Sequence, residues 1–512
     1  MKSRDPQQRE VSESYAEVIR DRFMLFSLFW GWATLIDLGK WWAKNLNDPI
    51  LFCVFASACL VCLRPASAGR LVLLVFLTGC TSYWQLPWLS NHGICSAFAS
   101  ITMLVCLVPS ALKSCNGRYL RDGVVMASAR MNIEWWRDWF QRFAPVLRWQ
   151  LVLCYAIAAF HKLNNDFFDP EKSCAVILWQ RMIRITPWAE TLSSFGFAMP
   201  VVALATELVL PLLLLRSRNR LVVVLLGLSF HLALGLAGFF RFSSLATALY
   251  VLFLPDWVLA SARSTIDSLR NKLPEFLANF GSSNLQKISS SIVLLVAVLA
   301  LFNVPYSPTR TTLSIRELSP APVARYSLWF QGLWLLPTIG ILVYLVWLLC
   351  VSDLKVKTRS RIDRLGWLSI FPILFALNGL SPYLGLKTVP SLSMFSNLRT
   401  VGNTSNHLVV RFAAQVIPDG ADLVAVVSTT DPVLKSLRDK NYELAWIEVC
   451  SYVQARIEQG DDFHLKYRRN GVVKDVKSVK AAREDFVEAF WLKRRLVRYR
   501  PVSKATVCPC IH

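Results

Sequence analysis

The stretch CYAIAAFHKLNNDFFDP, residues 154–170, decides how this chain is read. An apolar helical pattern enters it and stops at His161-Lys162. Beyond lie Asn164, Asn165 and Asp166, then an Asp169-Pro170 turn. The pattern is that of a membrane helix reaching the edge of the bilayer. Two readings of its last charged residue stand. Lysine at a helix end snorkels its ammonium toward the headgroups. Alternatively, a lysine partly desolvated among aromatic rings serves as a general base.

The whole chain shares this character. Of its 512 residues, 54% are hydrophobic and only 18% charged, with mean hydropathy +0.41. Soluble domains carry about 25% charged residues. Apolar windows long enough to span a bilayer recur over most of the first 390 residues. They fall near 23–43, 49–64, 69–86, 94–112, 146–162, 193–215, 220–240, 243–259, 289–305, 327–351 and 366–386. The expected fold is an all-α polytopic membrane bundle of about 9–11 spans. Residues 1–22 form a cytoplasmic N-terminal segment, 23–390 the membrane domain and 395–512 a small α+β extramembrane domain.

The net charge of +22 does not point to nucleic acid. Lys and Arg cluster in RSRNR (216–220), ARSTIDSLRNKL (262–273) and KVKTRSRIDR (355–364), whereas TSYWQLPWLSNHG (81–93) has none. That asymmetry places the N-terminus in the cytoplasm. An odd number of spans then puts the C-terminal domain on the opposite side. The setting is an integral multi-pass protein of a bacterial inner membrane, with lipid as a partner. Most of the 13 cysteines lie in apolar runs and behave as small hydrophobes. Cys508-Pro-Cys510 can bind metal or oxidise, or can be a loose tail. No metal site is expected.

Past residue 395 the apolar runs shorten. HLVVRFAAQV (407–416), DLVAVVSTT (422–430) and ELAWIEVCSYVQARI (443–457) are too polar to span. Asn470-Gly471 between alternating stretches signals a β-hairpin. VKAAREDFVEAFWLKRRLVRYRP (479–501) has the pattern of a basic amphipathic helix, and 260–288 that of one lying in the interface.

Ionisable residues in membrane segments are costly and therefore informative. Asn91-His92 sits in the uncharged loop and is either an idle loop pair or part of a site. His161-Lys162 ends a span on the same face, with Asn164 and Asp166 able to position it or its substrate. His231 lies inside LSFHLALGLAGFF, where it must find a partner. Glu207, inside ALATELVLPLLLL, is the candidate, as a fastening between helices or as part of a site.

These residues also carry a resemblance. The chain resembles the HTTM (horizontally transferred transmembrane) family, whose membrane domain is shared with vitamin K-dependent gamma-carboxylase. Asn91-His92 looks like the enzyme's Asn-Asn-His stretch, and AAFHKLNNDFF like its segment ending Lys-Lys-Leu-Asp-Ala-Asp-Trp. SFHLALGL is similar to its Phe-His-Leu stretch, and residues 380–400 to a loop in bacterial members. The resemblance covers about residues 20–400. It implies Lys162 as general base, with His92 and His231 lining the pocket and Asn91, His161, Asn164, Asp166 and Glu207 around the substrate. The implied cofactor is reduced vitamin K or menaquinol, an isoprenoid quinol oxygenated to an epoxide by O2. A peptide substrate is implied for the carboxylase, a lyase. The chain departs from the family with Ser90 where the enzyme has Asn, His161 where it has Lys, Asn164 where it has Asp, and a much shorter extramembrane tail. Those departures favour quinol oxygenation over peptide carboxylation. A non-enzymatic membrane protein that binds lipid, quinone or a peptide is the alternative. The direction of the Lys162 side chain distinguishes the two.

Overall fold

The computed structural model describes residues 6–39, 48–86, 89–119, 128–184, 186–216, 219–271, 325–351, 365–402, 405–412, 414–487 and 496–503. The predicted span at 289–305 and the Cys508-Cys510 pair lie outside the described residues.

Twelve helices matter to the site. They are α1 (Pro6–Gly39), α2 (Pro49–Leu63), α3 (Ala68–Gln85), α4 (Asn91–Tyr119), α5 (Ser128–His161), α6 (Cys174–Ile183), α7 (Met199–Arg216), α8 (Arg220–Leu234), α9 (Phe240–Tyr250), α10 (Asp256–Asn271), α11 (Arg325–Val351) and α12 (Ile370–Leu380). Among the described residues, six segments are long and apolar enough to cross a membrane: Asn91–Leu112, Trp135–His161, Ala189–Arg216, Arg220–Phe253, Gln331–Val351 and Gly366–Leu384. This is fewer than the 9–11 expected. The windows at 23–43, 49–64 and 69–86 do form helices, but α2 has only 15 residues. Arg22 and Asp37 dilute α1, and Arg70 and a run of hydroxyls dilute α3. Arg70 is itself buried and donates to the Leu60 carbonyl at 2.8 Å. Residues 6–22 are not a separate segment. They are the first turns of α1.

Segment Arg220–Phe253 is not one straight rod. A straight helix would hold Gly227 and Tyr250 roughly 35 Å apart. Here the Tyr250 ring lies directly over Gly227, and Ser243 Oγ donates to the His231 carbonyl at 2.8 Å. The chain reverses through a π-turn at Gly235–Phe239, where Gly238 has φ +102°, open to glycine and strained for other residues. Helices α8 and α9 are therefore a hairpin, which agrees with the two windows read at 220–240 and 243–259.

Helix α5 is central and touches α4, α7 and α12, while α1 packs on α2 and α9. In lipid, helices associate through close packing rather than through removal of apolar surface from water. Phe23, Phe26, Trp139, Phe140 and Phe143 interlock where α1 meets α5.

The C-terminal part is α+β, as expected. Strands β1 (Leu423–Thr429), β2 (Tyr442–Ala445), β3 (Leu465–Arg469), β4 (Val472–Val476) and β5 (Val502–Ser503) form one antiparallel sheet in the order β4-β3-β1-β2-β5. Helices α13 (Pro432–Asp439) and α14 (Trp446–Glu458) bury Leu434, Leu437, Val449, Tyr452 and Val453 against it. The β3–β4 turn has Asn470 at φ +51° and Gly471 at φ +79°, the pair a tight hairpin requires. The amphipathic helix expected over 479–501 does not form over its first part, 479–487. Residues 479–487 make turns and one 3₁₀ turn, because Val479 and Phe486 are drawn singly into the sheet's core. Residues 497–501 are in neither helix nor strand and lead into β5. The interfacial helix expected in 260–288 is described only as α10, to Asn271.

Candidate functional site

Lys162 turns inward. Its side chain is buried, and Nζ lies 2.7 Å from Glu207 Oε2. Nζ also donates to the Met394 carbonyl at 3.1 Å and the Ala158 carbonyl at 3.4 Å, and sits 5.9 Å from the Phe167 ring centroid. Snorkelling is excluded by this direction. The expected Glu207–His231 pair is replaced, because Glu207 reaches the end of α5 instead.

His231 finds a different partner. Its Nε2 lies 2.5 Å from Tyr155 Oη, which is 2.7 Å from Tyr250 Oη. All three are buried, and Nδ1 of His231 has no hydrogen-bond partner among the described residues. Buried polar atoms are nearly always paired, so this one is notable.

A cavity of about 400 Å³ joins these groups. Ligand pockets fall at roughly 300–1,000 Å³. Tyr155, Ala158 and Lys162 form one of its walls. They recur at intervals of three and four and so share one face of α5. Glu207 and Ala203 of α7 form another. The hairpin turn adds Phe230, Phe239 and Phe242, and the loop after α12 adds Met394 and Phe395. Phe239 and Phe395 pack edge to face with centroids 4.1 Å apart. The result is a chamber with aromatic walls around a buried ion pair.

Asn91 and His92 line the same cavity. His92 Nε2 donates to Asp37 Oδ1 at 3.0 Å, and Arg241 donates to the same oxygen at 3.0 Å. Asn91 Oδ1 accepts from Leu392 N at 2.9 Å. Four of the expected site residues do not line the cavity. His161 is fully buried, with Nδ1 2.9 Å from the Tyr383 hydroxyl and Nε2 donating to the Ser391 carbonyl at 3.1 Å. Asn164 caps the following turn and donates to the carbonyls of His161 and Ser396. Asp166 is held by Arg399 at 2.6 Å and Asn406 at 2.9 Å. His231 also stands behind Tyr155 rather than at the cavity surface.

Their common purpose is to fasten the loop after α12. Ser391, Met394 and Ser396 present successive carbonyls to His161, Lys162 and Asn164. Asn397 continues the seam by accepting from Cys174 N and donating to the Lys172 carbonyl. Leu392, Phe395 and Asn397 all have positive φ in this loop. Such backbone strain persists only where surroundings enforce it, and it concentrates at functional sites.

The C-terminal domain closes the chamber. Glu448, Arg498, Tyr499 and Arg500 line it. The strap 498–500 is bonded on both sides. Tyr499 N donates to Glu448 Oε1 at 2.8 Å, and Tyr499 Oη to the Gly385 carbonyl at 2.6 Å. Arg500 N donates to Thr388 Oγ1 at 2.8 Å, and the Arg498 carbonyl accepts from Thr388 N at 2.9 Å. Burial pushes the Tyr499 hydroxyl above its ordinary pKa, so it remains a donor. Sequence reading missed these residues. Tyr155 alone carried a signal, its two-turn spacing from Lys162.

No group of His, Cys, Asp or Glu among the described residues could hold a metal ion. Compared with protein-family models, curated proteins and solved structures, the chain matches none. What the fold and site define is a class: a helical membrane protein with a capped, aromatic chamber built around a buried Lys–Glu pair.

Proposed function

We propose that the chamber takes an isoprenoid quinol, reduced vitamin K or menaquinol, and deprotonates its hydroxyl for reaction with O2. The observation that supports this reading is the 2.7 Å Lys162–Glu207 pair beside aromatic residues in the wall of a ring-sized cavity. The resemblance in residues 20–400 names the substrate class.

The pair divides the work. A substrate O–H within hydrogen-bond reach gives its proton to the Glu207 carboxylate, the basic member of a charged pair. The Lys162 ammonium stays against the new oxyanion and stabilises it in a site of low dielectric. Tyr155, backed by His231, offers a second hydrogen bond to the ring's polar groups. Aromatic walls hold the ring, and its isoprenoid tail partitions into the bilayer. The C-terminal strap excludes water, which strengthens each of these contacts.

The proposed orientation puts this chamber on the non-cytoplasmic face of a bacterial inner membrane. Asp37, near the end of α1, reaches His92 at the cavity. The start of α1 then lies at the far end of the bundle, where the basic loops belong. Cys174, on the cavity's side, is disulfide-bonded, which suits an oxidising compartment.

The test incubates detergent-purified protein with reduced menaquinone and O2 and seeks the epoxide by mass spectrometry. Wild type should form it. Lys162→Ala should not, at equal expression. Epoxide at equal rate from Lys162→Ala would refute the role of the pair. Quinone binding without epoxide would leave a quinone- or lipid-binding protein as the function.

A further inference from the structure

Residues 407–412 and 414–416 belong, by sequence, to the extramembrane part, yet the fold returns them to the ends of two spans. Leu408 N donates to the Leu163 carbonyl at 2.8 Å, two residues past the span that ends at His161. Ala414 N and Val416 N donate to Tyr383 and Leu384 at 2.8 and 3.1 Å, the last residues of the span that ends at Leu384. The backbone is thus pinned at the level where two membrane segments stop. Several of its apolar side chains point away from the protein. Val409 is 71% exposed and Phe412 73%, with Leu408 and Val416 exposed beside them. Arg411 is exposed between them.

We propose that this segment is an interfacial hook, which dips Leu408, Val409, Phe412 and Val416 into the headgroup–acyl boundary of the leaflet that the site faces. Bilayer is the occupant because the patch continues the surface of two spans at their ends. A contiguous apolar patch is unfavourable in water and favourable at that depth. Arg411 reaches lipid phosphate from the same stretch by snorkelling. The hook's inner side grips the site. His407 Nε2 donates to the Phe160 carbonyl at 2.8 Å, and its ring packs on Phe160 and Tyr383. Insertion into lipid therefore sets the depth of the turn that carries Lys162. This inference does not depend on the chemistry proposed for the chamber.

The test places a photoreactive residue in the full chain, as Phe412→p-benzoylphenylalanine and separately Val409→p-benzoylphenylalanine. Each variant is reconstituted in nanodiscs of phosphatidylcholine and phosphatidylglycerol and irradiated, and adducts are identified by mass spectrometry. Val472, exposed on the β3–β4 hairpin, is the control position. Phospholipid adducts at 412 and 409, with none at 472, are expected. Absence of lipid adducts at both positions, equal adducts at 472, or cross-links to a second copy of the chain would overturn the hook.

Discussion

Replacing Lys162 by methionine should cost far more stability than replacing Glu207 by glutamine, although both changes break one ion pair. The two residues are 4% and 8% exposed. Lys162→Met keeps the apolar stem but leaves the Glu207 carboxylate buried without its ion-pair partner. Removing one partner of a buried pair costs about 3–5 kcal/mol. Glu207→Gln is milder. The ammonium keeps the carbonyls of Met394 at 3.1 Å and Ala158 at 3.4 Å, and the amide oxygen of glutamine can still accept. The expected cost is about 1–3 kcal/mol, that of a weakened buried hydrogen bond. In the double variant no charge is stranded, so its loss should fall short of the sum of the two single losses by roughly 2 kcal/mol. Unfolding entropy of about 2 cal/mol/K per residue makes 1 kcal/mol worth roughly 1 °C in a chain this long. Thermal unfolding in detergent should therefore fall by roughly 3–5 °C for Lys162→Met and little further on adding Glu207→Gln. Single losses that simply add in the double variant, or a larger loss from Glu207→Gln alone, would refute the argument.

Other consequences are independent of that pair. An alanine at Gly227 would place its Cβ inside the Tyr250 ring, so Gly227→Ala should break the Tyr155–Tyr250 bond and cost about 1–3 kcal/mol. A wild-type melting profile from this variant would contradict the α8–α9 hairpin. The protein should lose stability as pH falls below about 6.5, because His407 Nδ1 accepts from Val409 N and Val410 N and must stay unprotonated. Burial holds the His407 pKa below its ordinary value, so the unfolded chain takes up the proton first and stability drains toward acid. His407→Gln should flatten that dependence in melts taken across the range. Tyr155→Phe should keep the fold while weakening quinone binding in a fluorescence titration, since it removes the hydroxyl between His231 and Tyr250 but not the cavity wall.

How far the sequence reaches can be judged element by element. Periodicity and hydropathy are local, so long apolar helices, the Asn470-Gly471 hairpin and the change of character after residue 395 were legible from neighbours along the chain. So was the importance of Lys162, because a charge at the end of an apolar run is costly unless something holds it. The same local signal mistook 479–487 for an amphipathic helix. There Val479 and Phe486 are called singly into a sheet core, and spacing along one segment carries no record of that. The pairing of charges is likewise a tertiary fact. Glu207 and His231 are neighbours in span order, yet α7 delivers Glu207 to the end of α5, and the hairpin turn at Gly238 carries His231 to Tyr155. His161, Asn164 and Asp166 belong to the site's motif but serve as its frame, because the loop 391–397 needed donors for its carbonyls. Composition and periodicity by themselves determined that this chain is a helical membrane protein with a polar end to its fifth apolar run. Only the tertiary fold decided which way Lys162 points, what it pairs with, and that the C-terminal domain closes over it, since each depends on contacts between residues tens to hundreds of positions apart.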